Sequence, residues 1–279
     1  MKVYPFKIPK PNNNALIYQE DIEIVFYDKL HQHDEIQISY IEKGNGTLLV
    51  GNSFTNYYTG NVFVIGSNVP HAFKSDTSKN ETSKMLTLFF TKESFGTSFF
   101  KLEEFEEIES FFVNSLHGFQ VTSQLTEIKE IFNKLKKATK LERFIILIAL
   151  LKLLSESDIN LLSNYTYAKK LSDSEGKRMR KVFDYTLKNA NQKISLDEIA
   201  SVANMTKNAF CKFFKKRTNK TYINYLTELR IENACKILKS NKDMAIVDVA
   251  FKAGFYNISN FNRRFKELKK MTPLIFRNL

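Results

Sequence analysis

The sequence predicts an α+β protein of two parts: an N-terminal antiparallel β-barrel with helices, and a C-terminal all-α domain with two helix-turn-helix units. Three observations support this prediction. Short apolar segments separated by glycine turns occupy residues 22–91. Helical periodicity replaces them from Lys101 onward. Residues 194–277 then contain the same short unit twice.

The barrel is predicted from six short stretches of strand-forming residues. These candidate strands are Ile22–Tyr27, Ile36–Glu42, Gly46–Val50, Ser53–Tyr58, Asn61–Ile65 and Met85–Thr91. Glycine-asparagine pairs at 44–46 and 60–61 supply tight turns between them. Many short strands with such turns are typical of a small antiparallel barrel, and we assign residues 1-100 to it. The Pro- and Asn-rich residues 1–21 are expected to form an arm or an edge.

Two barrel segments, LHQHDEIQI and GNVFVIGSNVPHAF, contain three of the four histidines. They resemble the two halves of the cupin signature, which implies a cupin-like barrel. In metal cupins three histidines and a glutamate bind one divalent ion. His31, His33 and His71 match that set, but Gln37 and Ile38 stand where the glutamate is expected. We therefore predict a ligand pocket lined by His31, His33, Gln37 and His71, with no metal and no cofactor. The alternative is that these polar side chains simply fill the barrel.

Residues 101-157 are predicted to be a helical dimerisation region. The stretch Leu141–Leu154 is apolar almost all round, so a helix there must be covered by the barrel or by a second subunit. Homodimerisation is expected to depend on the helices from Leu125 to Leu154, with Phe144 and Ile148 as the positions whose change would test it. Residues 158-176, rich in serine and asparagine, are predicted to be a linker, and residues 177-279 a DNA-binding domain.

No membrane segment is expected. The longest apolar run, Phe144–Leu151, has 8 residues, whereas a membrane helix needs about 20. The start MKVYPFKIPKP lacks the apolar core of a signal peptide. Cys211 and Cys235 both lie on predicted helices with no pattern of a disulfide, which indicates a cytoplasmic, reducing setting.

The repeat is the most informative feature of the chain. One copy reads ISLDEIASVANMTKNAFCKFFKKRTNKTYINYL, and the other AIVDVAFKAGFYNISNFNRRFKELKKMTPLIFR. Each copy predicts helix, turn and helix, with Ser195, Thr206 and Asn257 as helix caps. The region between the copies predicts one helix over residues 221–240, which would span about 30 Å. That length is close to the ~34 Å between successive major grooves on one side of B-DNA.

The second helix of each copy presents a polar or basic outer face. These candidate DNA-binding residues are Lys207, Asn208, Cys211, Lys212 and Lys215 in the first copy, and Ile258, Ser259, Asn260, Asn262, Arg263 and Lys266 in the second. Asparagine and arginine make bidentate contacts with adenine and guanine edges in the major groove. Residues 175–279 contain 23 lysines and arginines against 9 acidic residues, a net charge of +14, which exceeds the +12 of the whole chain. The repeat region is therefore expected to bind a polyanion, double-stranded DNA.

From residue 177 to the end, the chain resembles the double helix-turn-helix domain of AraC/XylS-type transcription regulators. The residues that carry the resemblance are Ile199-Ala200, Phe210, Phe214-Lys215, Leu229-Arg230, Ala234–Leu238, Val249-Ala250, Gly254-Phe255, Phe261, Arg263, Phe265-Lys266 and Thr272-Pro273. Asn219 stands where the family often has glycine, although asparagine also tolerates a left-handed turn. AraC-type sensor domains often resemble cupins without binding metal.

The resemblance implies a sequence-specific DNA-binding transcription regulator, an activator, with an N-terminal domain that responds to a ligand or a partner. The expected partners are promoter sites spanning two successive major grooves per subunit, a second copy of the chain, a small-molecule effector and RNA polymerase. The alternative is a metal-dependent cupin enzyme fused to a DNA-binding domain, which the missing glutamate disfavours. A nucleoid-type binder without sequence preference is also disfavoured, because asparagine and serine suit base readout better than phosphate binding. The sequence shows no nucleophile-base pair of the kind that catalysis uses, so we predict that the protein is not an enzyme.

Overall fold

The computed structural model describes residues 15–77, 82–167 and 171–278. The chain forms two compact units, with the boundary between Asp173 and Ser174. The segment Asn52–Asn56 groups with the second unit. Within the described residues, no helix is both long enough and apolar enough to cross a membrane.

The first unit is built on antiparallel strands. They are β1 Leu16–Glu23, β2 Ile36–Lys43, β3 Gly46–Val50, β5 Val62–Ile65, β6 His71–Ser75, β7 Ser83–Phe90, β8 Phe119–Val121 and β9 Ile159–Leu161, whereas β4 Ser53–Tyr57 lies almost entirely in the segment Asn52–Asn56. Six of them form one sheet in the order β1-β7-β2-β5-β8-β9. A smaller sheet contains the antiparallel pair β3 and β6. The predicted β-rich N-terminal fold is confirmed.

Central strands β2 and β5 are buried on both faces, because apolar layers cover both sides of the larger sheet. One face packs against helices, where the Tyr40 ring stacks on Phe132 at 5.7 Å between centroids. The other face meets the smaller sheet, with Phe63 and Phe73 in an edge contact at 6.3 Å. The barrel interior is therefore filled mainly by apolar side chains.

Three helices complete the first unit: α1 Glu109–Ser115, α2 Leu125–Leu135 and α3 Lys140–Glu156. The region before α1, predicted as part of one helix, forms two 3-10 turns at Phe99–Lys101 and Glu103–Ile108 instead. Phenylalanine rings of this segment pack against one another there, and that tertiary packing overrides the helical pattern.

Helix α3 has a buried side and an exposed side. Leu147, Leu150, Leu151 and Leu154 lie in the core, whereas Leu141 and Ile145 are 68% and 59% exposed. Phe144 contacts Phe95 at 4.7 Å between ring centroids, so it packs within its own unit. Phe144 and Ile148 are both half-buried within the first unit, and their part in a homodimer stays a prediction.

Two other boundaries differ from expectation. β1 spans Leu16–Glu23, whereas the sequence predicted a strand at Ile22–Tyr27. The position of β1 is fixed by its pairing with β7 at the edge of the sheet, and one face of β1 remains polar. The stretch 158–176 is not a free linker throughout. It supplies β9, which pairs with β8, and the start of the first helix of the second unit.

Apart from the segment Asn52–Asn56, the described part of the second unit is helical. Its helices are α4 Asp173–Asn189, α5 Leu196–Val202, α6 Lys207–Thr218, α7 Tyr222–Ser240, α8 Ile246–Lys252, α9 Ile258–Lys269 and α10 Pro273–Arg277. The predicted caps are confirmed: Ser195 forms a capping box with Glu198, and Thr206 and Asn257 accept from the third following backbone N–H. Asn219 ends α6 in the left-handed conformation at φ 54°, as its tolerance of that region predicts.

Candidate nucleic-acid interface and sensor site

The two halves of the second unit turn from one helix to the next in the same way. After α5, Asn204 adopts φ 52° and the N–H of Met205 donates to Ala200 O at 2.9 Å. After α8, Gly254 adopts φ 94° and the N–H of Phe255 donates to Ala250 O at 2.9 Å. The sequence repeat is therefore a repeat of local geometry, and α6 and α9 are equivalent second helices.

Each second helix has an apolar side and an exposed side. Phe210 and Phe214 of α6 and Phe261 and Phe265 of α9 are fully buried. All eleven predicted DNA-binding residues lie on the opposite, exposed surface of these helices or at their starts. They are Lys207, Asn208, Cys211, Lys212, Lys215, Ile258, Ser259, Asn260, Asn262, Arg263 and Lys266. Their side chains are therefore available to a groove of DNA.

Arg263 lies along the surface of α9 between residues one turn away on each side. Its Nη1 donates to Glu267 Oε1 at 2.8 Å and its Nη2 to Asn260 Oδ1 at 3.0 Å. The guanidinium is 57% exposed, and exposed pairs of this kind contribute only about 0.3–0.5 kcal/mol. The hydrogen bonds of Arg263 to Glu267 and Asn260 can therefore be exchanged for other acceptors at a small cost in free energy.

Glu267 is an acid on the exposed side of α9 that the sequence analysis did not single out. Loss of hydration raises the pKa of its carboxyl group, but hydrogen bonds from Arg264 and Arg263 outweigh this and lower it below its ordinary value. The group is therefore ionised at neutral pH and pairs with the guanidinium groups of Arg263 and Arg264. The spacing of four residues between Arg263 and Glu267 on one helix was the sequence signal that predicts this ion pair.

Helix α7 joins the two halves as one unbroken helix of 19 residues, about 28 Å long. Arg230, in its middle, donates through Nε to Ala190 O at 2.7 Å and through Nη2 to Gln192 O at 2.6 Å. These charge-assisted bonds fix the connector to the loop between α4 and α5. The predicted single connector helix is confirmed.

The sensor candidate in the first unit consists of four buried polar side chains. His31 and His71 face each other across an antiparallel bridge, with ring centroids 4.2 Å apart. His33 lies 4.9 Å from His71 between centroids. One ring nitrogen from each histidine lies within 4.8 Å of the others, so the three predicted histidines do come together.

Gln37 lies on the inner side of this cluster. Its Oε1 is 3.1 Å from both His33 Nε2 and His71 Nε2. Glu35 is on the other side of His33, with Oε2 3.6 Å from Nδ1. β2 begins only at Ile36, so strand alternation does not extend to Glu35. The side-chain oxygen of Gln37 therefore contacts the Nε2 atoms of two of the three imidazoles, those of His33 and His71.

Comparison with known proteins assigns both units. Residues 199–278 match a helix-turn-helix domain family, and residues 15–90 match the AraC-like ligand binding domain family. The chain is 22% identical to the uncharacterized HTH-type transcriptional regulator YdeC of Bacillus subtilis over 91% of this chain and 87% of that protein. It is 27% identical to the probable transcriptional regulator LumQ of Photobacterium leiognathi over 87% of this chain and 89% of that one. Tn10 TetD of Escherichia coli is 36% identical, but this match spans 32% of the chain and 64% of TetD.

Two solved structures are also similar. The DNA-binding domain of AdpA in complex with a target DNA aligns over 38% of this chain and 92% of that chain, with 20% identity and a TM-score of 0.34. An apo ToxT variant from Vibrio cholerae aligns over 96% of this chain and 99% of that chain, with 14% identity and a TM-score of 0.39.

The paired helix-turn-helix units and the full-length relatives define a DNA-binding transcription regulator with an N-terminal ligand-binding domain. The order of the two matched domains identifies its family. The chain belongs to the AraC/XylS type of regulators.

Proposed function

We propose that the protein is a sequence-specific regulator that reads two successive major grooves with α6 and α9 and activates transcription through contact with RNA polymerase. The exposed polar faces of these equivalent helices are the observation that carries the proposal. The connector α7, about 28 Å long, suits the ~34 Å repeat of B-DNA. We assign no catalytic reaction to the chain. Because its proposed partner is DNA, we place the protein in the cytoplasm.

Base readout is assigned first to Arg263, with Asn260 and Asn262 beside it. Arg263 carries the long, forked donor that matches the O6 and N7 atoms of guanine. Lys207, Lys212, Lys215 and Lys266 carry single charges suited to phosphate, and Asn208, Cys211, Ile258 and Ser259 complete the surface. Specificity should therefore depend more on α9 than on the lysines of α6.

Homodimerisation is assigned to the exposed side of α3. Leu141, Ile145 and Ala149 lie four residues apart on one stripe, and all three are exposed. Two large aliphatic side chains more than half exposed on one stripe are typical of an interaction surface. A second copy would bury the same stripe on each partner, as two-fold symmetric dimers do.

Effector sensing is assigned to the barrel site of His31, His33, Gln37 and His71. A ligand there would alter DNA binding only to the extent that it binds one arrangement of the protein more tightly than another. The four side chains are buried and polar, and they come from two separate chain segments, one with His31, His33 and Gln37 and the other with His71. A ligand at this point would thus link parts of the barrel that the sequence separates.

The test of DNA readout uses duplexes selected from a random library by the full chain, compared with unselected duplexes. Arg263→Ala should cost about 1–3 kcal/mol on the selected duplex and relax specificity at one base pair. Arg264→Ala is the matched control, because Arg264 shares the Glu267 partner but is half-buried. If both variants weaken selected and unselected DNA equally, Arg263 is only a phosphate contact and the readout proposal fails.

A further inference from the structure

We propose that His31, His33, His71 and Gln37 form a binding site for one divalent transition-metal ion in the barrel. The inference deepens the proposed sensing role of this site. Only the expected effect of the ion on DNA binding depends on that proposed role. The ion-binding property itself follows from the geometry of the four side chains.

The backbone fixes the same tautomer in all three imidazoles. Nδ1 of His31 lies 2.8 Å from Lys29 O, and Nδ1 of His33 lies 2.9 Å from Glu35 O. Nδ1 of His71 lies 2.9 Å from Val69 O. A carbonyl oxygen can only accept a hydrogen bond, so each bond places the ring hydrogen on Nδ1. A neutral imidazole held in this way carries a lone pair on Nε2, which is the arrangement that metal-binding histidines share.

Gln37 adds a fourth lone pair to the same space. Its Oε1 is 3.1 Å from Nε2 of His33 and from Nε2 of His71, while its Nε2 donates to Ser39 Oγ at 2.8 Å. The oxygen is therefore held beside two nitrogens that also accept. An acceptor beside acceptors in a buried site is unfavourable unless a cation or added protons lie between them. A metal ion bound here would take these lone pairs as its ligands.

The ligand set indicates the class of ion. Three imidazole nitrogens with one amide oxygen suit Zn²⁺, Co²⁺, Ni²⁺, Cu²⁺ or Fe²⁺ rather than Ca²⁺ or Mg²⁺, which prefer oxygen. All four ligands are uncharged, and the carboxylate of Glu35 lies on the Nδ1 side of His33, with Oε2 3.6 Å from Nδ1. Such a site should bind more weakly than one with a carboxylate ligand, and weaker binding suits a reversible signal.

The test is titration of the untagged full chain with Co²⁺ after chelation and dialysis. One Co²⁺ per chain with visible ligand-field absorption and displacement by Zn²⁺ is expected. His33→Phe and His71→Phe should each weaken binding by at least about 100-fold. His117→Phe is the matched control, because His117 is the remaining histidine of the sequence and bonds to Ser163 O outside the cluster.

The variant Gln37→Glu distinguishes between a metal-binding role and a purely structural role of the four side chains. Adding a carboxylate ligand should tighten Co²⁺ binding by roughly tenfold or more, whereas burying a new charge in a merely structural cluster would only destabilise the fold. Circular dichroism checks that each variant is folded. If the folded wild-type chain binds no Co²⁺ or Zn²⁺, or if His117→Phe removes binding as fully as His33→Phe, the site proposal is overturned. The four side chains would then be a hydrogen-bonded core with the Gln37 amide turned around.

The effect on regulation is measured separately. Affinity of the full chain for its selected duplex is compared with Zn²⁺ and with chelator, for wild type and for His33→Phe. A change of at least about threefold in wild type that His33→Phe abolishes is expected, by the linkage of ligand binding to conformation. Metal binding without this change would refute metal sensing while leaving the site intact. Loss of specific DNA binding under both conditions would refute the proposed readout instead.

Discussion

Gly254, in the turn between α8 and α9, provides a test of why the second helix-turn-helix unit folds as it does. It adopts φ 94°, a region that side-chain-bearing residues avoid. A Cβ added there would meet Ala190 O well inside contact distance and would lie 2.8 Å from Arg230 Nε. The change Gly254→Ala should therefore disturb both the turn and the Arg230–Ala190 hydrogen bond.

The expected loss in free energy of unfolding caused by Gly254→Ala has two parts. The backbone conformation alone should cost about 1–2 kcal/mol. Displacing Ala190 and Arg230 should add about 1.5–3 kcal/mol, the value of a hydrogen bond to a charged group. We thus expect the second unit to lose about 3–5 kcal/mol of its free energy of unfolding, and DNA binding to fall with the folded fraction.

Gly60→Ala is a control matched in backbone conformation. Gly60 adopts φ 91°, but a Cβ there would have no heavy atom within 4 Å. It should cost only the conformational part, about 1–2 kcal/mol. Amide hydrogen exchange, resolved by peptide in the full chain, gives the opening free energy of each unit separately. Equal losses in the two variants would refute the claim that the close approach to Ala190 and Arg230 requires glycine.

Two further predictions follow from exposed side chains. Glu267→Gln should raise the affinity for all duplexes by roughly two- to fivefold at low salt, because it removes a negative charge from a DNA-facing helix. Filter binding measures this, and no change, or an equal gain from the exposed first-unit control Glu127→Gln, would count against α9 facing phosphate. The pair Leu141→Asp and Ile145→Asp should convert a dimer to a folded monomer by sedimentation, whereas Phe144→Asp should unfold the first unit because Phe144 packs on Phe95. A folded double variant of unchanged mass would exclude this stripe as the interface.

Local patterns determined most of the second unit. Its caps at Ser195, Thr206 and Asn257 occur where the sequence predicted them. Helices are fixed by contacts three and four residues apart, which one sequence displays directly. The exposed surfaces of α6 and α9 followed from the same periodicity.

The first unit was less predictable because its elements depend on distant partners. β1 is defined by pairing with β7, and β9 by pairing with β8, so short segments with weak patterns became strands. On α3 the sequence showed only an apolar helix, and packing of Phe144 on Phe95 decided which side remains exposed. Periodicity gives the faces of an element but not the neighbour that covers each one.

The sequence by itself determined that this chain repeats a capped helix-turn-helix unit, concentrates its positive charge there, and carries three histidines in a barrel. Only the tertiary structure decided that Gln37 presents its oxygen to His33 and His71, while the Glu35 carboxylate lies on the Nδ1 side of His33. It also decided that Gly254 packs against Ala190 and Arg230 from other parts of the chain. The physical reason is range: caps and amphipathic faces arise from neighbours in sequence, whereas a buried site is assembled by strands and loops that only folding brings together.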